Sequence, residues 1–239
     1  MKNFVLFIVL IFNALSLKSQ TVHQQAYWTR LYVRVKLNDK WSWQTEADNR
    51  RFFGENQQLQ FIAHTHVHRK LGVIARNVAT EGSLGFSFSE TCQGELAVPE
   101  LRPFQEFYIF QPLNSRLRLS HRIRTEQRWF HNYKNEALTE GYNFKFRFRY
   151  MLRLEYKISE KWSLKVNDEL MYHPDDFDQN RIYGAVEYRF RKDLSLEMGY
   201  MKVLQKRANN KGYFDRDNLR VTVYKDFDLS KNVNAEKIK

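Results

Sequence analysis

The chain has 239 residues and a formal net charge of +12, from 39 Lys and Arg against 27 Asp and Glu. That length suits one domain or two small ones, and the basic excess points to nucleic acid or to anionic surfaces. The one cysteine, Cys92, excludes an internal disulfide, and beyond residue 20 no apolar run approaches the roughly 20 residues that a membrane-spanning helix needs.

The first residues read as a secretory signal peptide. Lys2 supplies the positive charge, Phe4 to Phe12 is unbroken apolar sequence, and Ser16 and Ser19 provide small residues for cleavage near Ser19–Gln20. No cysteine follows at a position for lipid attachment. An exported chain has little to do with nucleic acid, so the expected partners are the lipids of a membrane. The expected organisation is a signal peptide over 1–19, a barrel over 20–229 and a polar tail over 230–239.

After the leader, strand-like alternation recurs along the chain, since side chains of an extended segment point to opposite faces in turn. Tyr27, Leu31, Val33, Val35 and Leu37 alternate with Trp28, Arg30, Tyr32, Arg34 and Lys36. Trp41, Trp43 and Ala47 oppose Gln44, Glu46, Asp48 and Arg50. Leu59, Phe61, Ala63 and Val67 oppose Gln60, His64, His66 and His68. Leu71–Phe88 and Phe104–Phe110 alternate only weakly. Leu117, Leu119, Ile123 and Trp129 oppose Arg116, Arg118, Arg122, Arg124, Glu126 and Arg128. The clearest case is Tyr142–Tyr156: Tyr142, Phe144, Phe146, Phe148, Tyr150, Leu152, Leu154 and Tyr156 share one parity, and Lys145, Arg147, Arg149, Arg153 and Glu155 the other. Trp162–Glu169, Arg181–Phe190 and Leu219–Tyr224 repeat it. Short polar turns at 38–40, 159–161 and 191–193 alternate with longer polar segments at 53–57, 91–102, 131–141, 173–178 and 207–215. This is the layout of an up-and-down meander with short turns on the periplasmic side and longer loops outside. About 11 strands can be counted. Single-chain bacterial barrels normally have an even number, so one error is expected, placed between Gln20 and Gly85. The fold class predicted is all-β: a closed, antiparallel transmembrane barrel of about 10–12 strands.

A sheet with one apolar face must hide it. A soluble barrel turns that face inward, and a membrane barrel turns it outward. Tyr27, Trp41, Trp43, Trp129, Tyr142, Tyr156 and Trp162 lie near strand ends on the apolar parity, as in the aromatic girdles of membrane barrels. The outer membrane is therefore the expected location, and the Phe144/Phe146/Phe148 face is the deciding feature. A soluble exported ligand-binding barrel is the alternative.

Trp28 and the Trp41-Ser-Trp43 segment with Glu46 and Arg50, Arg122-Ile-Arg-Thr-Glu-Gln-Arg-Trp129, Arg147-Phe-Arg-Tyr150, Asp168-Glu169 and Phe177-Asp-Gln-Asn-Arg181 form a series of polar-aromatic fragments across most of the mature chain. In these the chain resembles the domain of unknown function 2490 family of bacterial outer-membrane barrels. The resemblance implies a barrel in the outer membrane and no activity, because the family has none assigned.

The candidate site is the luminal charged cluster: Glu46, Asp48, Arg50, Arg122, Arg124, Glu126, Arg128, Arg147, Arg149, Glu169 and Arg181. Charges in a narrow interior must be paired or hydrated, so these residues either fill the lumen as a ladder of ion pairs or form a basic constriction favouring anions in a narrow channel or small-solute transporter. His64, His66 and His68 share one face, but residues two apart stand nearly 7 Å apart along a strand, and the expectation is three polar side chains with no metal and no cofactor. An outer-membrane lipase or acyltransferase would need a Ser activated by His. Ser120 and His121 are the candidates, and as neighbours on a strand they point apart, as do Asp168 and Glu169; no enzyme is expected. Asp175, Asp176 and Asp178 lack the spacing of a calcium loop.

Overall fold

The structure, a computed structural model, describes residues 21–54, 57–75, 77–207 and 211–230. The expected signal peptide and nearly all of the expected polar tail lie outside the described residues. Eleven strands account for most of the rest: β1 (Thr21–Lys36), β2 (Trp41–Phe52), β3 (Gln58–Ala75), β4 (Val78–Gln93), β5 (Leu96–Pro112), β6 (Leu117–Lys134), β7 (Ala137–Lys157), β8 (Trp162–His173), β9 (Asp176–Arg191), β10 (Leu194–Lys206) and β11 (Tyr213–Asp228). Each pairs with its sequence neighbour in antiparallel register, and β1 pairs with β11 to close the barrel. Closure satisfies every strand edge, which is what an open sheet cannot do.

The closing pair is parallel, from Thr21↔Tyr213 to Lys36↔Asp228. An up-and-down meander of 11 strands has no other way to close, because its first and last strands run in the same direction. The count of 11 was therefore right as it stood, and the even number expected of such barrels does not hold here. Among the described residues between Gln20 and Gly85 no strand is missing: Leu71–Phe88 divides into the end of β3 and most of β4.

The turns expected to be short, at 38–40, 159–161 and 191–193, lie together at one mouth. At the other mouth three of the five expected long loops are strand. Residues 91–102 are the ends of β4 and β5 around Gly94, whose φ is +65°. Residues 131–141 are the ends of β6 and β7, joined by Asn135 and Glu136 with φ of 50° and 59°. Two central residues with positive φ give the mirror-image turn whose twist suits a hairpin. Residues 173–178 are likewise a tight β8–β9 connection.

The alternation resolves into an inside and an outside. Phe144 and Phe148 are exposed on the outer wall while Arg147 and Arg149, on the alternate parity, are buried in the interior. Trp41, Trp43, Tyr142, Tyr156 and Trp162 are exposed on the same outer surface. Inside, a small apolar cluster of Trp28, Tyr183, Ala185, Met201 and Val203 sits against β1, β9 and β10. Tyr183 lies flat over Gly199, where an added Cβ would meet its ring at 2.5 Å. Overpacking of this kind costs about 1–3 kcal/mol. Gly199→Ala is expected to lower unfolding stability by that amount, measured by urea titration of the folded barrel, whereas Gly184→Ala, with open space at its Cβ, is expected to do so much less.

Candidate functional site

Strands β2, β5, β6, β7, β8 and β9 turn a parity of charged side chains into the barrel. All 11 residues of the luminal cluster face the interior; Glu46, Asp48 and Arg50 form one group around Arg30, and ion pairs join the other eight into a network with residues the sequence reading omitted. Asp48, fully buried, receives Arg30 through Nε (2.5 Å) and Nη2 (2.9 Å) and also Arg50 (3.0 Å). Arg50 stacks on Trp28 with its guanidinium 3.8 Å from the ring centre. Glu46 lies 3.4 Å from Arg30.

Glu126 is the hub. Its carboxylate, with no solvent exposure, accepts from Arg147 Nε (2.6 Å) and Arg149 Nη1 (2.8 Å), and lies 2.8 Å from Arg124 Nε and 3.9 Å from Arg102. Glu169 accepts from Arg149 Nη2 at 2.6 Å and from Arg122, with Arg181 3.9 Å away. Arg128 makes a two-pronged contact with Glu100 (2.6 and 3.1 Å). Forked guanidinium contacts to carboxylates are the geometry in which a desolvated ion pair recovers most of its cost.

Glu100, Arg102 and Glu106 of β5 complete this network, and the sequence reading missed them. Arg102 binds Glu100 through Nε and Nη2, both at 2.8 Å. Glu106 lies 3.3 Å from Arg124 and 3.4 Å from Arg122. Pro99 and Pro103 hid this strand, because proline lacks a backbone N–H and argues against a central strand. Here Pro103 coincides with a gap in the β5–β6 pairing between Leu101↔Trp129 and Phe104↔Glu126. The usable signal was the alternation of Glu100, Arg102 and Glu106 itself. Asp178, placed in a loop by the sequence, enters the network through Arg147 (2.9 Å). Asp176 instead pairs with Lys206.

A second, smaller cluster surrounds Glu197. It accepts from Lys165 (2.8 Å), Arg220 (2.9 Å) and the Tyr183 hydroxyl (2.7 Å). Ser120 is buried inside, while His121 faces the other way and shares a hydrogen bond with Tyr150 (2.8 Å). Asp168, outside, accepts from Asn180 (2.5 Å), apart from Glu169.

These side chains pack against the wall and leave a cavity of about 2120 Å³. Its lining runs from Gly94 and Lys134 at one mouth, past Arg122 and Arg149, to Arg118, Arg189 and Asp226 at the other. Arg and Lys outnumber Asp and Glu among the lining residues by more than two to one.

The family described as "Protein of unknown function (DUF2490)" matches residues 25–214. The chain belongs to that family. The match runs from within β1 to the start of β11, so the DUF2490 region contains the whole of the Glu126 network. Among solved structures, the chain is similar to one described as "NanC porin structure in rhombohedral crystal form", with a TM-score of 0.55 and 12% identity over 84% of this chain and 96% of that one. At that identity the likeness is one of fold. No curated protein matches the sequence.

Proposed function

We propose that this DUF2490 protein is an outer-membrane barrel, exported by the cleaved leader at 1–19, that passes small anionic solutes through a basic lumen. The observation that carries the reading is a cavity lined from mouth to mouth by an excess of Arg and Lys. Rows of guanidinium groups lower the barrier for negative solutes and raise it for cations.

Membrane placement has its own support. The outer wall is apolar and aromatic, and polar side chains on it satisfy one another. Trp43 Nε1 donates to Thr65 Oγ1 (2.6 Å), Thr125 Oγ1 to Gln105 Oε1 (2.7 Å), and Gln105 Nε2 to Gln127 Oε1 (3.2 Å). In lipid, with no water to help, such pairing is required. The shortest strands have 12 residues, roughly 40 Å of extended chain at about 3.3 Å per residue. A tilt of about 40° leaves a height of roughly 30 Å, enough for the apolar band of about 25 Å.

The test is reconstitution in planar bilayers under a KCl gradient. The expected result is a small conductance whose reversal potential favours chloride. Arg153 lines the cavity and its guanidinium reaches Met151 Sδ (3.7 Å) rather than a carboxylate; Arg153→Glu is expected to move the reversal potential toward potassium without unfolding the barrel. A barrel shown to be folded by heat-modifiable gel mobility, yet without conductance, overturns the channel.

A further inference from the structure

The three histidines of β3 do not behave as their spacing predicts. His66 and His68 lean together, with ring centres 4.4 Å apart, while His64 stands edge-on to Phe104. His68 Nε2 lies 3.0 Å from His66 Nδ1, and His66 Nδ1 lies 3.3 Å from Glu106 Oε2. Glu106 reaches this point from β5, across β4. Between them β4 carries Gly85, opposite both His66 and Phe104, where an added Cβ would come within 2.3 Å of the Phe104 ring and 2.5 Å of the His66 Cβ. All three side chains are buried, and their three donor atoms lie within 4.8 Å of one another.

Those separations have a chemical meaning. Around a tetrahedral ion with bonds of about 2.0–2.1 Å, ligand atoms stand roughly 3.3 Å apart. The surrounding bonds also orient the three lone pairs. His68 Nδ1 meets Glu81 Oε1 at 2.6 Å; with the proton donated there, Nε2 is left as an acceptor facing His66 and Glu106. This carboxylate–histidine arrangement is the usual support of a metal ligand. Glu106 Oε2 is fixed by hydroxyl donors, Ser83 Oγ and Tyr108 OH, each at 2.9 Å. His66 Nε2 is buried without a hydrogen bond and lies 3.6 Å from Glu46 Oε1. A single proton on His66 Nδ1 is divided between two acceptors, whereas a divalent cation satisfies all three atoms together.

We propose that His66, His68 and Glu106 form a binding site for a borderline-soft divalent metal, zinc above all, with Glu81 orienting the His68 imidazole. Two imidazoles and a carboxylate suit zinc over magnesium or calcium, which prefer oxygen donors. Of the three residues only His68 lines the cavity, so the site meets the lumen on its His68 side. The metal ties β3 to β5 across β4.

The experiment uses the folded barrel without a histidine tag, stripped with chelator and titrated with zinc chloride by calorimetry. One equivalent is expected to bind. Cobalt is expected to give the visible absorption of a tetrahedral site in the wild type and to lose it in His66→Ala. Glu81→Gln is expected to weaken zinc binding about 10- to 100-fold, and His131→Ala to leave it unchanged. Zinc is also expected to raise the temperature of the heat-modifiable mobility shift in the wild type but not in His68→Gln, a variant that keeps a polar side chain in place. Absence of zinc uptake by the wild type overturns the proposal. So does one equivalent bound with undiminished affinity by folded His66→Ala or His68→Gln, which would locate the ion elsewhere.

Discussion

Glu126→Ala is expected to destabilise the barrel by about 3–5 kcal/mol, the range measured when one partner of a buried ion pair is removed. The reason lies in what stays behind. Arg124, Arg147 and Arg149 converge on this carboxylate, with Arg102 at the edge of the group. Without it their positive charges face one another in an interior that holds them against the wall. Arg147 retains Asp178 and Arg149 retains Glu169, so the network loosens around Arg124 first, whose other carboxylate, Glu106, is 3.3 Å away and shared. The control is Glu155→Ala. Its partner Arg118 is half exposed at the short-turn mouth, and pairs of that kind contribute about 0–1 kcal/mol. Urea unfolding of the two variants in the same lipid vesicles gives the comparison. Equal losses would mean that the lumen is wet enough to screen its charges, and the reading of Glu126 as a desolvated hub would have to be given up.

The second large effect is on the outer wall. Val166 is 55% exposed near the middle of β8, beside Leu154 of β7. If lipid covers that surface, Val166→Arg costs about 2–4 kcal/mol, the depth-dependent penalty of a guanidinium near the midplane of a bilayer. The same change at Ile158, in the β7–β8 turn, is expected to cost about 0–1 kcal/mol, the value near the interface. Refolding equilibria in vesicles measure both. If the two substitutions cost equally little, water covers the wall, and the soluble ligand-binding barrel becomes the better description.

Much of this molecule is written in its alternation. Over Tyr142–Tyr156 the apolar parity faces outward and the charged parity inward, and the same reading places Glu46, Asp48 and Arg50 inside on β2. Alternation is legible where one face is apolar and the other is not. It fades where both faces are polar, as in the ends of β4, β5, β6 and β7 around residues 91–102 and 131–141. Those stretches are strands with loop-like composition, because strand ends projecting past an apolar band have no face to hide. β5 was obscured for a different reason: Pro99 and Pro103 fall on its outer parity, and so Glu100, Arg102 and Glu106 went unread. The approach of His66 to His68 was not legible at all, since the groups that hold the two rings are carboxylates from β4 and β5, Glu81 and Glu106, that lie apart from them in sequence.

The parallel seam between β1 and β11 has a consequence for the two ends of the barrel. Ten hairpin connections reverse the chain an even number of times, so Thr21 and Asp228 emerge at opposite mouths. A barrel of even count has both of its ends at one mouth. If the barrel spans a bilayer as proposed, its odd count places the start of β1 and the end of β11 on opposite sides of it. In a sealed vesicle such a barrel would be a bipolar thread, and a protease added to one compartment would reach only one of the barrel's two ends.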